Sequence, residues 1–354
     1  MPFERPGRKP YKVLIVDDSA VVRQTMQAIL SADPELEVIG TAADPLAAAV
    51  RIKKMLPDVI TLDVEMPRMD GITFLRKLMA QKPIPVVMCS SLTAAGAEVT
   101  IEALRLGAVD CIAKPVGGPA ELAASAALLC RTVKNAARSS ARPRVTTPPP
   151  IASGESRKTR FHDMVIAIGA STGGVEALFH VLSSFPENCP PTLIVQHMPA
   201  AFTASFADRL DRSCPPKIVE AKHGQPIAPG TVYIAPGGTH HMTLQGGYNG
   251  RIRLIESDPI GGHRPSVDAL FHSVAQSGAA SVGAILTGMG ADGAEGLLAL
   301  RQAGATTFGQ SRESCVVWGM PRAAAELGGV QQEISLSSMA STILSACRGE
   351  HRER

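Results

Sequence analysis

The chain has 354 residues, enough for two domains of roughly 150 residues each, so a single small module is excluded. Apolar residues at 45% suffice for packed cores, whereas aromatics at 4% argue against a surface that stacks on nucleic-acid bases. The formal charge is +3, and residues 131–160 alone hold eight Lys/Arg against one Glu. The positive charge therefore belongs to one segment and not to a folded face, and no nucleic-acid partner is expected.

The first 134 residues alternate strand and helix signals. An apolar run at 12–16 stops at Asp17-Asp18 and is followed by helical spacing over 19–31. A strand at 37–41, a helix at 45–55 and a strand at 59–62 ending on Asp63 come next. A helix is predicted over 71–80 and a strand over 85–88, which runs into Cys89-Ser90-Ser91. A helix at 99–106, a short strand at 111–113 before Lys114-Pro115, and a helix at 120–134 complete the pattern. Five strands alternating with five helices predict a parallel, doubly wound (βα)5 domain over 11–134.

Residues 138–160 read RSSARPRVTTPPPIASGESRKTR, with three consecutive prolines and little to bury. The stretch 135–161 is therefore expected to be an extended, flexible linker. Residues 162–348 return to the α/β pattern. Buried-type strands are predicted at 164–168, 192–196 and 282–286, each running into a Gly- or Pro-containing turn and then a helix. Between them, 217–257 is a β-rich excursion, and a helix is expected over 294–303. This predicts a Rossmann-like, doubly wound, mostly parallel second sheet.

Seven cysteines without CxxC spacing predict neither a disulfide framework nor a zinc site. No apolar run reaches the roughly 18 residues of a membrane helix. A cytoplasmic protein with no direct membrane insertion is expected.

In parallel α/β sheets ligands bind beyond the carboxyl ends of the strands. Asp17, Asp18, Asp63 and Lys114 all fall there. Crowded carboxylates repel one another, and a hard divalent cation relieves that repulsion. A cation, a free carboxylate and a lysine are what an aspartate needs to accept a phosphoryl group. Each aspartate alone reads equally well as a helix cap. Taken together, DD, DVEMPRMDG, SS and KP at successive strand ends resemble a response-regulator receiver domain. The resemblance implies Asp63 as phosphoacceptor and Mg2+ held by Asp17, Asp18, Asp63 and the backbone carbonyl of Glu65. It also implies Lys114 as the phosphoryl contact and Ser90 as the hydroxyl switch. Cys111 stands where such domains carry an aromatic switch residue, a departure that touches the coupling and not the phosphorylation.

The second domain opens with a strand that runs into Gly169-Ala170-Ser171-Thr172-Gly173-Gly174 and then a helix. Small neighbours allow a tight turn and leave the serine accessible. The motif satisfies G-x-S-x-G and comes close to G-x-G-x-x-G, so nucleophile, dinucleotide-binding loop and structural turn all stay open on these residues alone. Serine needs a base. Of nine histidines, His197 ends the strand at 192–196, which puts it at the same sheet edge as Ser171. His240-His241 could ligate a metal, but no third ligand stands out. His263 lies in a GGHRPSVD loop that could line a cleft. The strand at 282–286 leads into Thr287-Gly288-Met289-Gly290-Ala291-Asp292. Asp292 could orient the imidazole, and Gly288 and Gly290 could offer N–H groups to an oxyanion. Asp292 reads equally as the N-cap of the helix at 294–303. The order Ser, His, Asp differs from the Ser, Asp, His of α/β-hydrolases.

IGASTGG, VQHMP with FTASFADRLD, APGGTHH, HRPSVDALFHSVA, ILTGMGADGAEGL and QSRESCVVWGMPRAA, in this order, resemble the catalytic domain of the protein-glutamate methylesterase/protein-glutamine glutaminase family of bacterial chemotaxis. The resemblance implies Ser171 as nucleophile, His197 as general base and acid, Asp292 as its orienting partner, and Thr172 and Met289 lining the site. It implies hydrolysis of glutamate methyl esters on chemoreceptors with release of methanol, glutamine deamidation by the same path, a chemotaxis histidine kinase as phosphodonor, and no cofactor for the hydrolytic step. A dinucleotide oxidoreductase needs an acidic ribose-binding residue about 20 positions beyond the loop, and Glu187 sits in a turn. A DNA-binding regulator needs a basic recognition helix in its output domain, and the positive excess lies in the linker instead.

Overall fold

The computed structural model describes residues 9–66, 69–90, 94–115, 119–139 and 161–348. The chain divides into two compact units between residues 145 and 146. The first contains β1 (Tyr11–Val16), α1 (Ala20–Ser31), β2 (Leu36–Ala42), α2 (Pro45–Lys54), β3 (Val59–Asp63), α3 (Gly71–Gln81), β4 (Val86–Ser90), α4 (Ala94–Arg105), β5 (Asp110–Ala113) and α5 (Pro119–Arg138). Its sheet has the order β2-β1-β3-β4-β5, with every pair parallel. β3 and β4 are buried along their whole length, as a strand covered on both faces must be. Ser19, Asp44 and Asp70 cap α1, α2 and α3 by accepting the N–H of Val22, Ala47 and Thr73.

α5 continues to Arg138, past the expected limit at Lys134. The extra turn is held from outside the helix: Arg138 Nη2 pairs with Glu35 at 3.0 Å and its guanidinium lies 5.8 Å above the Tyr11 ring. Residues 140–160 of the expected linker lie outside the described residues.

The second unit contains β6 (Val165–Ala170), α6 (Gly174–Leu182), β7 (Thr192–Gln196), α7 (Ala200–Ser213), β8 (Lys217–Glu220), β9 (Thr231–Ile234), β10 (His240–Gln245) and β11 (Arg251–Glu256). It continues with α8 (Val267–Gln276), β12 (Ser281–Ile285), α9 (Ala294–Gln302), β13 (Thr306–Gln310), α10 (Met320–Glu326), β14 (Gln332–Ile334) and α11 (Leu336–Ala346). A seven-stranded sheet runs β14-β13-β12-β6-β7-β9-β8, again with every pair parallel. The β-rich excursion splits. β8 and β9 extend the main sheet, whereas β10 and β11 form a separate antiparallel ribbon.

From β6 the chain winds outward through β7 on one side and returns through β12 on the other. The β12/β6 boundary is therefore the point where the winding reverses, and there the loops part to leave a crevice. β6 sits at the centre with all six residues buried.

A glycine seam lets α8 approach this point. A Cβ on Gly169 in β6 would overlap the Val267 side chain, and so would one on Gly293, whose φ is +90°. Val267, the first residue of α8, thus wedges against β6 and the turn after β12. Gly169→Ala is expected to destabilise the protein by about 1–3 kcal/mol, read from denaturant unfolding, and Val267→Ala is expected to restore part of that loss. An unchanged midpoint in Gly169→Ala would contradict the wedge.

Candidate active site

The first unit gathers four charged side chains at the carboxyl edge of its sheet. One oxygen from each of Asp17, Asp18 and Asp63 lies within 4.8 Å of the others. Among the described residues this is the one such group that could hold a metal ion. Lys114 Nζ stands 3.0 Å from Asp17 Oδ2 and 2.7 Å from Asp63 Oδ2. Burial first, and the neighbouring Asp17 charge, push Asp63 up to about 6 against the pull of Lys114. A hard cation fits this donor set, because it removes the repulsion that burial leaves in place. Ser90 is buried at the end of β4, and its carbonyl accepts the Lys114 N–H at 3.0 Å. Glu65 is exposed, and its N–H points to Asp63 Oδ1 at 3.4 Å. A Cβ on Gly71 would overlap the Asp63 carbonyl oxygen, so glycine is required behind the turn that carries this aspartate. Cys111 is buried and pairs in register with Met88.

In the second unit, Ser171 follows β6 and His197 follows β7. Ala170 pairs with Gln196 in register, and His197 N–H donates to the Ala170 carbonyl at 3.1 Å. Neighbouring parallel strands thus deliver serine and histidine to one edge. Gln196 joins them: its Nε2 donates to the Ser171 and His197 carbonyls, both at 3.0 Å. On the other flank Ser171 N–H donates to the Thr287 carbonyl at 3.0 Å. The buried Thr287 hydroxyl donates to the Thr172 carbonyl at 3.0 Å and accepts the N–H groups of Val316 and Val317. One side chain therefore ties the Ser171-Thr172 turn to the loop at Val316 and Val317. Polar residues ending otherwise apolar strands were the readable signal for Gln196 and Thr287, and sequence reasoning missed both.

His197 Nε2 meets Asp292 Oδ2 at 2.7 Å. The other Asp292 bonds come from the start of α8. Oδ1 accepts from the Ser266 hydroxyl at 2.7 Å and Asp268 N–H at 3.1 Å, and Oδ2 accepts from Val267 N–H at 2.8 Å. The alternative role of Asp292 is corrected: α9 begins after Gly293 with no side-chain cap, and the carboxylate caps the spatial neighbour α8. Burial opposes its charge, yet the His197 contact, the Ser266 hydroxyl and the Val267 amide hold its pKa down to about 2. Asp268 beside it goes the other way, raised by burial and by the Asp292 charge. An ionised Asp292 accepts only, so Nε2 of His197 carries a proton. Nδ1 is buried without a hydrogen-bond partner among the described residues. The His263 ring stacks on His197, with centroids 3.9 Å apart and planes 5° from parallel.

The expected oxyanion role of Gly288 is corrected. Its N–H donates to the Val317 carbonyl at 3.0 Å. Its requirement is steric, since a Cβ there would stand 2.8 Å from Ser171 Cβ. Beyond it, Met289 is half-buried and Gly290 exposed with φ +85°. Their N–H groups have no acceptor among the described residues. Thr172, the residue after Ser171, is buried. His240-His241 make no metal group among the described residues.

Residues 166–343 match the CheB methylesterase family, and residues 13–127 match the response regulator receiver domain. The chain belongs to the CheB methylesterase family. It is 53% identical over 94% of its length to a Caulobacter vibrioides protein-glutamate methylesterase/protein-glutamine glutaminase, of which 97% is covered. A Rhodopseudomonas palustris protein of the same name is 50% identical, with 96% of each chain covered. The crystal structure of the Thermotoga maritima CheB methylesterase catalytic domain matches with a TM-score of 0.50 and 35% identity, covering 52% of this chain and 98% of that one. The receiver and the parallel-sheet catalytic fold expected from the sequence are both present.

The depressed pKa of Asp292 has a definite sign. Its contribution to stability is fully present above the ordinary value of 3.8 and is lost as pH falls through about 2. The single tryptophan, Trp318, lies in the second unit, so its fluorescence reports that unit alone. Unfolding followed this way is expected to show a steeper loss of stability between pH 4 and pH 2 in the parent than in Asp292→Asn. Equal slopes would contradict the assignment.

Proposed function

We propose that this protein is a phosphorylation-controlled hydrolase that removes methyl groups from glutamate methyl esters of chemoreceptors and deamidates selected receptor glutamines. The observation that carries the reading is the His197 imidazole, held at Nε2 by Asp292 and without a hydrogen-bond partner at Nδ1 among the described residues, at the end of the strand next to the one that leads into Ser171. Ser171 Oγ attacks the γ-carbonyl while its proton passes to His197 Nδ1. The N–H groups of Met289 and Gly290 receive the oxyanion, and Thr172 and Met289 line the cleft. Collapse expels the methoxy group, which takes the proton from Nδ1 and leaves as methanol. Water then attacks the acyl-serine, gives a proton to Nδ1, and the released serine takes it back. With a glutamine side chain the leaving group is ammonia. Asp292 stabilises the imidazolium formed in each half.

In the receiver, residues 11–134, Asp63 accepts the phosphoryl group from a chemotaxis histidine kinase. Asp17, Asp18, Asp63 and the Glu65 carbonyl would hold Mg2+, which neutralises phosphoryl oxygens when bound. Lys114 pairs with the phosphoryl group, and Ser90 reports its arrival. The segment that follows α5 joins this switch to the hydrolase at 162–348. No helix among the described residues is long and apolar enough to cross a membrane, and we place the protein in the cytoplasm.

Methanol release from methylated receptor tests the hydrolase. Ser171→Ala is expected to lower kcat by about 10⁴- to 10⁶-fold while leaving the thermal midpoint near that of the parent. A retained rate would overturn the nucleophile. A small phosphodonor with Mg2+ is expected to raise the rate of the full-length parent and leave Asp63→Asn unresponsive; equal stimulation of both would remove the phosphoacceptor.

A further inference from the structure

The loop from Ser257 to Ser266 touches the His197–Asp292 pair twice. Its last residue, Ser266, donates its hydroxyl to Asp292, and its His263 ring stacks on His197. A ten-residue loop has no intrinsic reason to hold two such contacts in register. Gly261 and Gly262, with φ of +58° and +82°, turn it back on itself, and Ile260 and His263 exchange two backbone hydrogen bonds across the turn. Those features shape the tip and do not anchor the ends.

One side chain reaches both ends. His241 sits near the start of β10, where Met242 and Leu244 point into the apolar core. Alternation puts His241 on the opposite face of the ribbon, yet it is only 2% exposed. The loop folds over it and uses both ring nitrogens. His241 Nε2 meets the Asp258 carbonyl at 3.0 Å, at the start of the loop. Its Nδ1 accepts the Ser266 N–H at 3.0 Å, at the end. The carbonyl can only accept and the amide can only donate, so the ring is the neutral Nε2–H tautomer. Arg264 adds a staple on the exposed side, with Nε on the Gly238 carbonyl and Nη1 on the Ser257 carbonyl, both at 2.8 Å.

We propose that His241 is a positioning residue for hydrolysis: by clamping both ends of the 257–266 loop it fixes Ser266 and His263, and through them the orientation of Asp292 and His197. The inference rests on the triad reading above. His241 touches neither substrate nor a reacting atom. The path runs Asp258 carbonyl, His241, Ser266 amide, Ser266 hydroxyl, Asp292 and His197. Each non-covalent link is a hydrogen bond of 3.0 Å or less, and the His241, Ser266 and Asp292 side chains at the middle of the path are buried. A shift of about 1 Å in such a support can cost about 100-fold in rate, because the base is displaced while the substrate surface is left alone.

The test uses full-length protein and methylated receptor. His241→Phe keeps a ring but removes both hydrogen bonds, and His241→Asn keeps an acceptor near Nδ1. His241→Phe is expected to lower kcat by about 10- to 100-fold with KM within about twofold of the parent. His241→Asn is expected to recover most of that loss. The labelling rate of Ser171 by a fluorophosphonate probe is expected to fall in the same order, since the probe needs the base but not the receptor. A kcat within twofold of the parent in His241→Phe would overturn the proposal, as would loss of thermal stability in both variants with no difference between them in kcat. An inactive parent on receptor with Ser171 still labelled would instead count against the substrate reading, and the labelling order of the three proteins would still decide the role of His241.

Discussion

A buried carboxylate keeps its charge only where the protein supplies donors, and Asp292 has four: an imidazole, a hydroxyl and two backbone amides. Three of them belong to one turn at the start of α8. Because helix N-termini present free N–H groups and a positive field, this is the natural place to stabilise an anion. The cost is geometric. α8 must come close enough to β6 and to the turn after β12 for its first residue to touch both, and Gly169 and Gly293 leave the room that Val267 occupies. The charge that orients His197 and the packing that seats α8 are thus one constraint seen from two sides.

The same edge shows how a parallel sheet assembles a site from distant segments. Ser171, His197 and Asp292 arrive on adjacent strands around the point where the winding reverses. Cross-strand ties then set them: Gln196 under the serine and histidine carbonyls, and Thr287 between the Ser171-Thr172 turn and the loop at Val316. The receiver applies the same principle to different chemistry. Its strand ends bring three carboxylates and one lysine together, and burial with the Asp17 charge beside it leaves Asp63 harder to ionise than an ordinary aspartate.

Much of this was legible in the sequence, for reasons that differ by residue. Buried parallel strands are continuous apolar runs, so β1, β3, β4, β6, β7 and β12 announced themselves, and the residues that end them fell at one edge by topology alone. The partners of Asp292 did not. Nothing local distinguishes an aspartate that caps the next helix from one that caps a helix 25 residues earlier in the chain; only the approach of α8 decides it. Gly288 misled for a related reason, since its N–H is claimed by Val317 from a loop that sequence spacing does not bring near. The burial of His241 was equally hidden, because strand alternation puts it on the face away from the core and a following loop reverses that expectation.

The central claim is that an ionised Asp292 fixes the proton of His197 on Nε2 and leaves Nδ1 to serve the serine. A ¹⁵N NMR spectrum of the imidazole groups in the resting protein, with His197 assigned through its loss in His197→Gln, measures this directly at mildly alkaline pH. The account requires Nε2 protonated and Nδ1 bare, with the Nε2 proton shifted downfield by its bond to the carboxylate. A proton on Nδ1 and none on Nε2 would contradict it.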